Sequence, residues 1–136
     1  MTSGPLVAIL ADDLIWATRL DRLVRDAGAR AVLLRDLDSL DRRLVDATRR
    51  PAGLVVDLTS RAYDGLAAIR RAAEAGTAVV AVGQHDDRAG RQAARAAGAS
   101  EVYAYGRLFA SGPQVLGGWV GRLAARHAGD DWVGGA

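Results

Sequence analysis

Leu6-Val7-Ala8-Ile9-Leu10-Ala11-Asp12-Asp13 and Leu54-Val55-Val56-Asp57 decide how this chain reads. Each is a short, unbroken apolar run that ends in carboxylates. An unbroken run of this length, rich in branched residues, suits a strand covered on both faces, as in the middle of a parallel sheet. In open sheets of that kind the working site lies beyond the carboxyl ends of the strands. Asp12, Asp13 and Asp57 are therefore expected to meet at one sheet edge. Clustered carboxylates there can hold a divalent cation and offer a nucleophilic oxygen.

The same alternation continues along the chain. Strands are predicted at 6–11, 30–34, 53–58, 77–82 and 100–105. In the first helix Trp16, Leu20, Leu23, Val24 and Ala27 recur at helical spacing, which predicts a core-facing stripe closed by Gly28. A second helix is predicted over 39–49 with Ser39 as its N-cap and Pro51 beyond its end. A third spans 64–75, a fourth 86–97, and a fifth 112–127, with Gly76 and Gly98 after the third and fourth. Gly117, Gly118 and Gly121 weaken the fifth helix and leave room for close approach of a neighbour. Five strand–helix repeats with right-handed crossovers predict an α/β, flavodoxin-like (βα)5 fold. Its doubly wound, five-stranded parallel sheet lies between two helical layers in a three-layer sandwich. The expected domain covers 1–127, followed by a loose tail at 128–136 that Trp132 can pin.

Composition narrows the class. The 136 residues are half hydrophobic, enough for one ordinary core. No apolar run approaches the roughly 20 residues of a membrane span, and no leader pattern precedes the first strand, so a cytoplasmic protein is expected. With no cysteine, thiolate metal sites are excluded. His85 and His127 lack ligand spacing. The net charge of +2 argues against nucleic acid unless the arginines converge on one face. All 18 basic residues are arginines.

The absence of lysine matters because the ordered motifs resemble response-regulator receiver domains. The resemblance rests on Leu10-Ala11-Asp12-Asp13, Leu54-Val55-Val56-Asp57, Asp64-Gly65, Val79-Val80-Ala81-Val82-Gly83-Gln84-His85-Asp86-Asp87 and Gly98-Ala99-Ser100-Glu101-Val102-Tyr103. It implies that Asp57 is the phosphoacceptor. It also implies that Asp12, Asp13, Asp57 and the carbonyl of Thr59 hold Mg2+. Two parts of the family pattern are altered. Gly83 stands where a switch hydroxyl is expected, and Tyr105 where a lysine is expected, with Arg107 as the nearest cation. Tyr103 takes the aromatic switch position. Arg88, Arg91 and Arg95 make a basic stripe beside the family's usual docking and dimerisation face, formed by the fourth helix, fifth strand and fifth helix.

These departures predict a stand-alone pseudo-receiver in two-component-type signalling, not an enzyme. It is expected to act through contact with a histidine kinase, another regulator or a second copy, and to bind Mg2+ weakly at most. Two alternatives stay open. One is a phosphorylatable single-domain receiver that takes phosphate from a histidine kinase with Mg2+. The other is a small flavodoxin-like metal-dependent enzyme or ligand-binding domain, which requires a deep pocket beside Asp57. No basic side chain is expected to stand in for the missing lysine.

Overall fold

The computed structural model describes residues 4–135, with side chains through residue 126. Alternation along each buried strand builds two cores at once. Val7 and Ile9 of β1 (Leu6–Leu10) face one side of the sheet, while Ala8 and Leu10 face the other. The chain continues as α1 (Leu14–Asp26), β2 (Arg30–Leu34), α2 (Leu37–Val45), β3 (Gly53–Asp57) and α3 (Gly65–Glu74). It ends with β4 (Ala78–Gly83), α4 (Arg88–Ala97), β5 (Glu101–Ala104) and α5 (Tyr105–Gly135). All strand pairs are parallel, in the order β2-β1-β3-β4-β5. This is the expected flavodoxin-like sheet, with helices on both faces.

On one face, Leu20 and Val24 of α1 pack with Leu116, Trp119, Val120 and Leu123 of α5 over Val7, Ile9, Val55, Val80 and Val82. On the other, Leu40 and Leu44 of α2, Ile69 and Ala72 of α3, and Ala94 of α4 cover Ala8, Leu10, Leu54, Val56 and Ala81. Order switches at β1, whose neighbours are β2 and β3. Leu10 pairs with Leu34 on one side and with Val56 on the other. The crevice beyond that switch point lies between the residues that follow Leu10 and those that follow Val56.

An aspartate caps each of the first four helices. Asp13, Asp36, Asp64 and Asp87 accept hydrogen bonds from backbone N–H groups of the first turns of α1, α2, α3 and α4. These bonds satisfy donors that the helix itself leaves unpaired. Asp36, not Ser39, therefore begins the second helix, and Ser39 supplies the N–H that Asp36 accepts at 2.8 Å. That helix also stops at Val45, where Asp46 takes the N–H and hydroxyl of Thr48 and turns the chain.

The fifth helix begins earlier than the spacing predicts. Tyr105 leaves β5 directly into a helical segment, and Ser111 breaks the helical path with φ −130° and ψ 15° just ahead of Pro113. Proline disfavours helical backbone in the residues before it and offers no N–H, so the predicted start near 112 is the second half of a kinked helix. The separate tail at 128–136 and the packing of Trp132 lie outside the described side chains.

Glycine has opposite meanings on β3 and α5. A Cβ at Gly53 would come within 2.6 Å of the Trp119 ring, so only glycine lets that ring lie against the sheet. Among the described residues, Gly117 and Gly121 have no neighbour in the space a Cβ would take. Gly53→Ala should cost about 1–3 kcal/mol through overpacking. Gly121→Ala should add about 0.4–1 kcal/mol by stiffening the unfolded chain and favouring helix. Urea unfolding midpoints check both, and equal shifts would contradict the packing described.

Candidate active site

Asp57 ends β3 and is 1% exposed. It lies two residues after Val55, so its side chain belongs to the α1/α5 side of the sheet. Its Oδ1 accepts the backbone N–H of Thr59 at 2.9 Å and the Thr59 hydroxyl at 2.7 Å. Oδ2 is buried and has no hydrogen-bond partner. The carboxylate thus has one occupied oxygen and one bare oxygen.

The neighbouring carboxylates are engaged differently. Asp12 Oδ1 accepts a short hydrogen bond from the Ser60 hydroxyl, which ties the end of β1 to the loop after β3. Asp13 is exposed, and its Oδ1 is taken by the N–H groups of Ile15 and Trp16 at 2.9 and 3.1 Å. Among the described residues, no group of three carboxylate or imidazole side chains is close enough to hold a metal ion. The topology delivers Asp12, Asp13 and Asp57 to one edge, but capping of α1 turns the Asp13 carboxylate to a second task.

The donor chemistry that remains suits a hard cation. Asp12 and Asp57 carry carboxylate oxygens, one of them the bare Oδ2. Mg2+ is content with one or two carboxylates because it keeps several waters. Asp12, Asp57 and the carbonyl of Thr59 are the groups that would hold it. A bound cation would supply charge compensation for a buried carboxylate.

Tyr63 completes the floor of the site and was not singled out by spacing. Its hydroxyl lies 2.9 Å from the carbonyl oxygen of Leu10 and 2.6 Å from that of Asp57, so one proton serves two strand ends. Burial, then the charge of Asp57, pushes the phenol far above its ordinary pKa, which keeps it a donor. A lone aromatic in the polar segment Thr59-Ser60-Arg61-Ala62-Tyr63-Asp64 was the available signal. Ser60 carried no signal beyond its composition.

The positions that depart from the receiver pattern lie at the ends of β4 and β5, on the sheet edge where β3 ends in Asp57. Gly83 closes β4, and a Cβ there would meet Leu58 at 3.7 Å, an ordinary contact. The site has space for a small side chain that the sequence does not provide. Tyr105 is partly buried; its hydroxyl makes no close hydrogen bond, and burial, then the charge of Asp57 and a loose hydrogen-bonding contact to that carboxylate, push its pKa up. Arg107 is exposed, and its charge is felt at Tyr103. The three ion pairs among the described residues join Arg25 to Asp21, Arg71 to Asp41 and Arg122 to Glu101. None involves Asp57.

Tyr103 packs on the α1/α5 core and donates its hydroxyl to Glu101 at 2.7 Å. Arg122 of α5 holds the other Glu101 oxygen at 2.8 Å. Burial, then that hydrogen bond to Glu101, raises the Tyr103 phenol to about 12. Arg88 and Arg95 are exposed on α4, whereas Arg91 donates to the His85 carbonyl at 2.7 Å and braces its own loop. Trp16 is half-buried, not core. It stacks on Tyr105 at 4.2 Å between ring centroids. A cleft lined by Leu58, Tyr63, Asp64, Leu66, Asp87 and Gly90 opens near the start of α4, and Asp57 does not line it.

This sheet order, with aspartates at the ends of β1 and β3, is the architecture of receiver domains. No family model matches the sequence, and no curated protein matches it. Solved structures do. A response-regulator receiver domain from Clostridium thermocellum is 14% identical, with a TM-score of 0.74 over 91% of this chain and 97% of that one. The receiver domain of a sensor histidine kinase from Pseudomonas aeruginosa, with a magnesium ion in its active-site cleft, is 21% identical. Its TM-score is 0.70, covering 88% of this chain and 99% of that one. A pilus-assembly-related protein from Burkholderia pseudomallei is 22% identical, with a TM-score of 0.71 over 92% of each chain. The chain has the fold of response-regulator receiver domains.

Tyr63→Phe isolates the shared proton at the strand ends. Its loss should lower stability by about 1–2 kcal/mol because two carbonyls lose one buried donor. An unchanged urea midpoint would show that the hydroxyl is dispensable.

Proposed function

We propose that this protein is a receiver-like module of two-component-type signalling that works by binding other proteins, without phosphorylation of Asp57 as its trigger. One observation carries this reading: Asp57 is buried beside the Tyr105 phenol, and among the described residues no cation pairs with it. Phosphoryl transfer depends on positioning and on neutralising charge that spreads over the equatorial oxygens. Removal of one such electrostatic partner typically costs about 3 kcal/mol of transition-state stabilisation. Here a neutral phenol replaces the cation, and Gly83 removes the hydroxyl that would follow the phosphoryl group.

The output surface in this reading is the face built by α4, β5 and α5. Arg88 and Arg95 stand free on it, and the Tyr103–Glu101–Arg122 chain ties β5 to α5 beneath it. Partners are a histidine kinase, another regulator or a second copy, met in the cytoplasm. Mg2+ binds weakly at Asp12 and Asp57. The enzyme alternative requires a deep pocket beside Asp57.

Incubation of the whole chain with acetyl phosphate and Mg2+, read by intact mass, tests the proposal. The expected result is no adduct on Asp57, with Asp57→Asn giving the same partner binding as wild type. Rapid formation of a mono-phosphoryl adduct that Asp57→Asn abolishes would favour the phosphorylatable receiver instead.

A further inference from the structure

Why Asp57 should be silent has two separable explanations, a missing charge and a blocked approach. The rings around Tyr105 bear on the second. Tyr105 follows Tyr103 by two residues at the end of β5 and packs against the α1/α5 core, on the side of the sheet where Asp57 points. Its ring is stacked on Trp16 at 4.2 Å and 29°, and on Phe109 at 5.5 Å and 19°. Trp16 and Phe109 stack on each other at 5.4 Å and 11°, which closes a three-ring cluster. The Arg19 guanidinium caps it from outside, 4.7 Å from the Phe109 centroid and 5.5 Å from that of Trp16. Such contacts add to what burial alone supplies, so the ring is held by two neighbours.

Asp57 Oδ2 and the Tyr105 hydroxyl are both buried and neither closes a full hydrogen bond, yet the carboxylate acts on the phenol through its charge and a loose hydrogen-bonding contact, so the two groups are neighbours. Buried polar atoms without a full hydrogen bond are rare, and here the two belong to neighbouring groups that the packing holds short of a close bond. A phosphoryl donor has to reach that same Oδ2. The early start of α5 sets the ring there: because Tyr105 opens the helix, Phe109 falls one turn later on the same side.

We propose that the Tyr105 ring, held by Trp16 and Phe109, is a fixed lid that denies phosphoryl donors access to Asp57. Trp16 and Phe109 act on Asp57 only through Tyr105 and are positioning residues. This inference rests on the receiver-like reading above and adds a cause to it. The ring adds a steric block to the lost charge.

The test is the rate of adduct formation on the full-length chain with acetyl phosphate and Mg2+. In that reaction a carboxylate oxygen of Asp57 bonds to phosphorus, and the phosphorus–oxygen bond to the acetyl group breaks. Acetate leaves with the electron pair. Tyr105→Ala should react at least about tenfold faster than wild type, the scale on which small changes in access and alignment act. Tyr105→Phe keeps the stacked ring without the hydroxyl and should stay as slow as wild type. Trp16→Ala leaves Tyr105 in place but unsupported, and should also accelerate the reaction. It serves as the second variant if circular dichroism shows Tyr105→Ala to be unfolded. Adding Asp57→Asn to either variant should abolish the adduct.

If Tyr105→Phe gains as much as Tyr105→Ala, the hydroxyl and not the ring is the cause, and the lid is refuted. If the folded alanine variants remain inert while Tyr105→Lys reacts, the missing charge is the cause and the lid is again refuted, with the proposed function intact. Rapid reaction of the wild type would overturn both readings.

Discussion

Parallel pairing of β1 with β3 is the constraint on which the rest of this structure depends. Leu10 lies opposite Val56 in that ladder, so the residues just beyond each strand emerge side by side. Asp12 and Asp57 therefore meet the same crevice, and the loop after β3 can reach back to β1 through Ser60 and Tyr63. The pairing also makes β1 the switch point of the sheet, which opens a crevice instead of covering it with a crossover helix. One in-register ladder thus sets the place, the carboxylates and the hydroxyl groups that brace them.

The price of that arrangement is a carboxylate taken out of water without a cation. Burial of an unpaired charge is costly unless hydrogen bonds take over the role of solvent. Thr59 supplies two donors to one oxygen, and the structure leaves the other bare. The Tyr105 phenol beside it makes only a loose contact, its ring being stacked on Trp16 and Phe109. Two apolar layers, one on each face, hold the sheet around it.

Aspartate is used in two ways at the strand and helix ends. Asp36, Asp64 and Asp87 cap helices, and Asp13 does the same although it follows the first strand directly beside Asp12. The adjacent pair therefore divides its work: Asp12 faces Ser60 and the crevice, and Asp13 serves the first turn of α1. An acidic doublet at the exit of a strand is ambiguous by itself, because a helix that starts at once needs the same oxygen that a metal would take.

Much of this was legible in the residues. Unbroken apolar runs require strands covered on both faces, and amphipathic stretches between them require helices, so five repeats dictate the layered parallel sheet. Aspartates at the exits of the first and third strands follow from the same reading, as do the glycine and tyrosine that depart from the receiver pattern. These are local properties, set by composition and period. What only the tertiary structure decided is how the groups share their bonds. It sends Asp13 to a helix cap and gives Tyr63 to two strand ends. It starts α5 at Tyr105, whose ring then stacks with Trp16 and Phe109, residues that a spacing argument assigns to a core stripe or leaves unmentioned. Those outcomes depend on contacts between segments distant in sequence, where hydrogen bonds and ring packing compete for the same atoms. No periodicity encodes the winner.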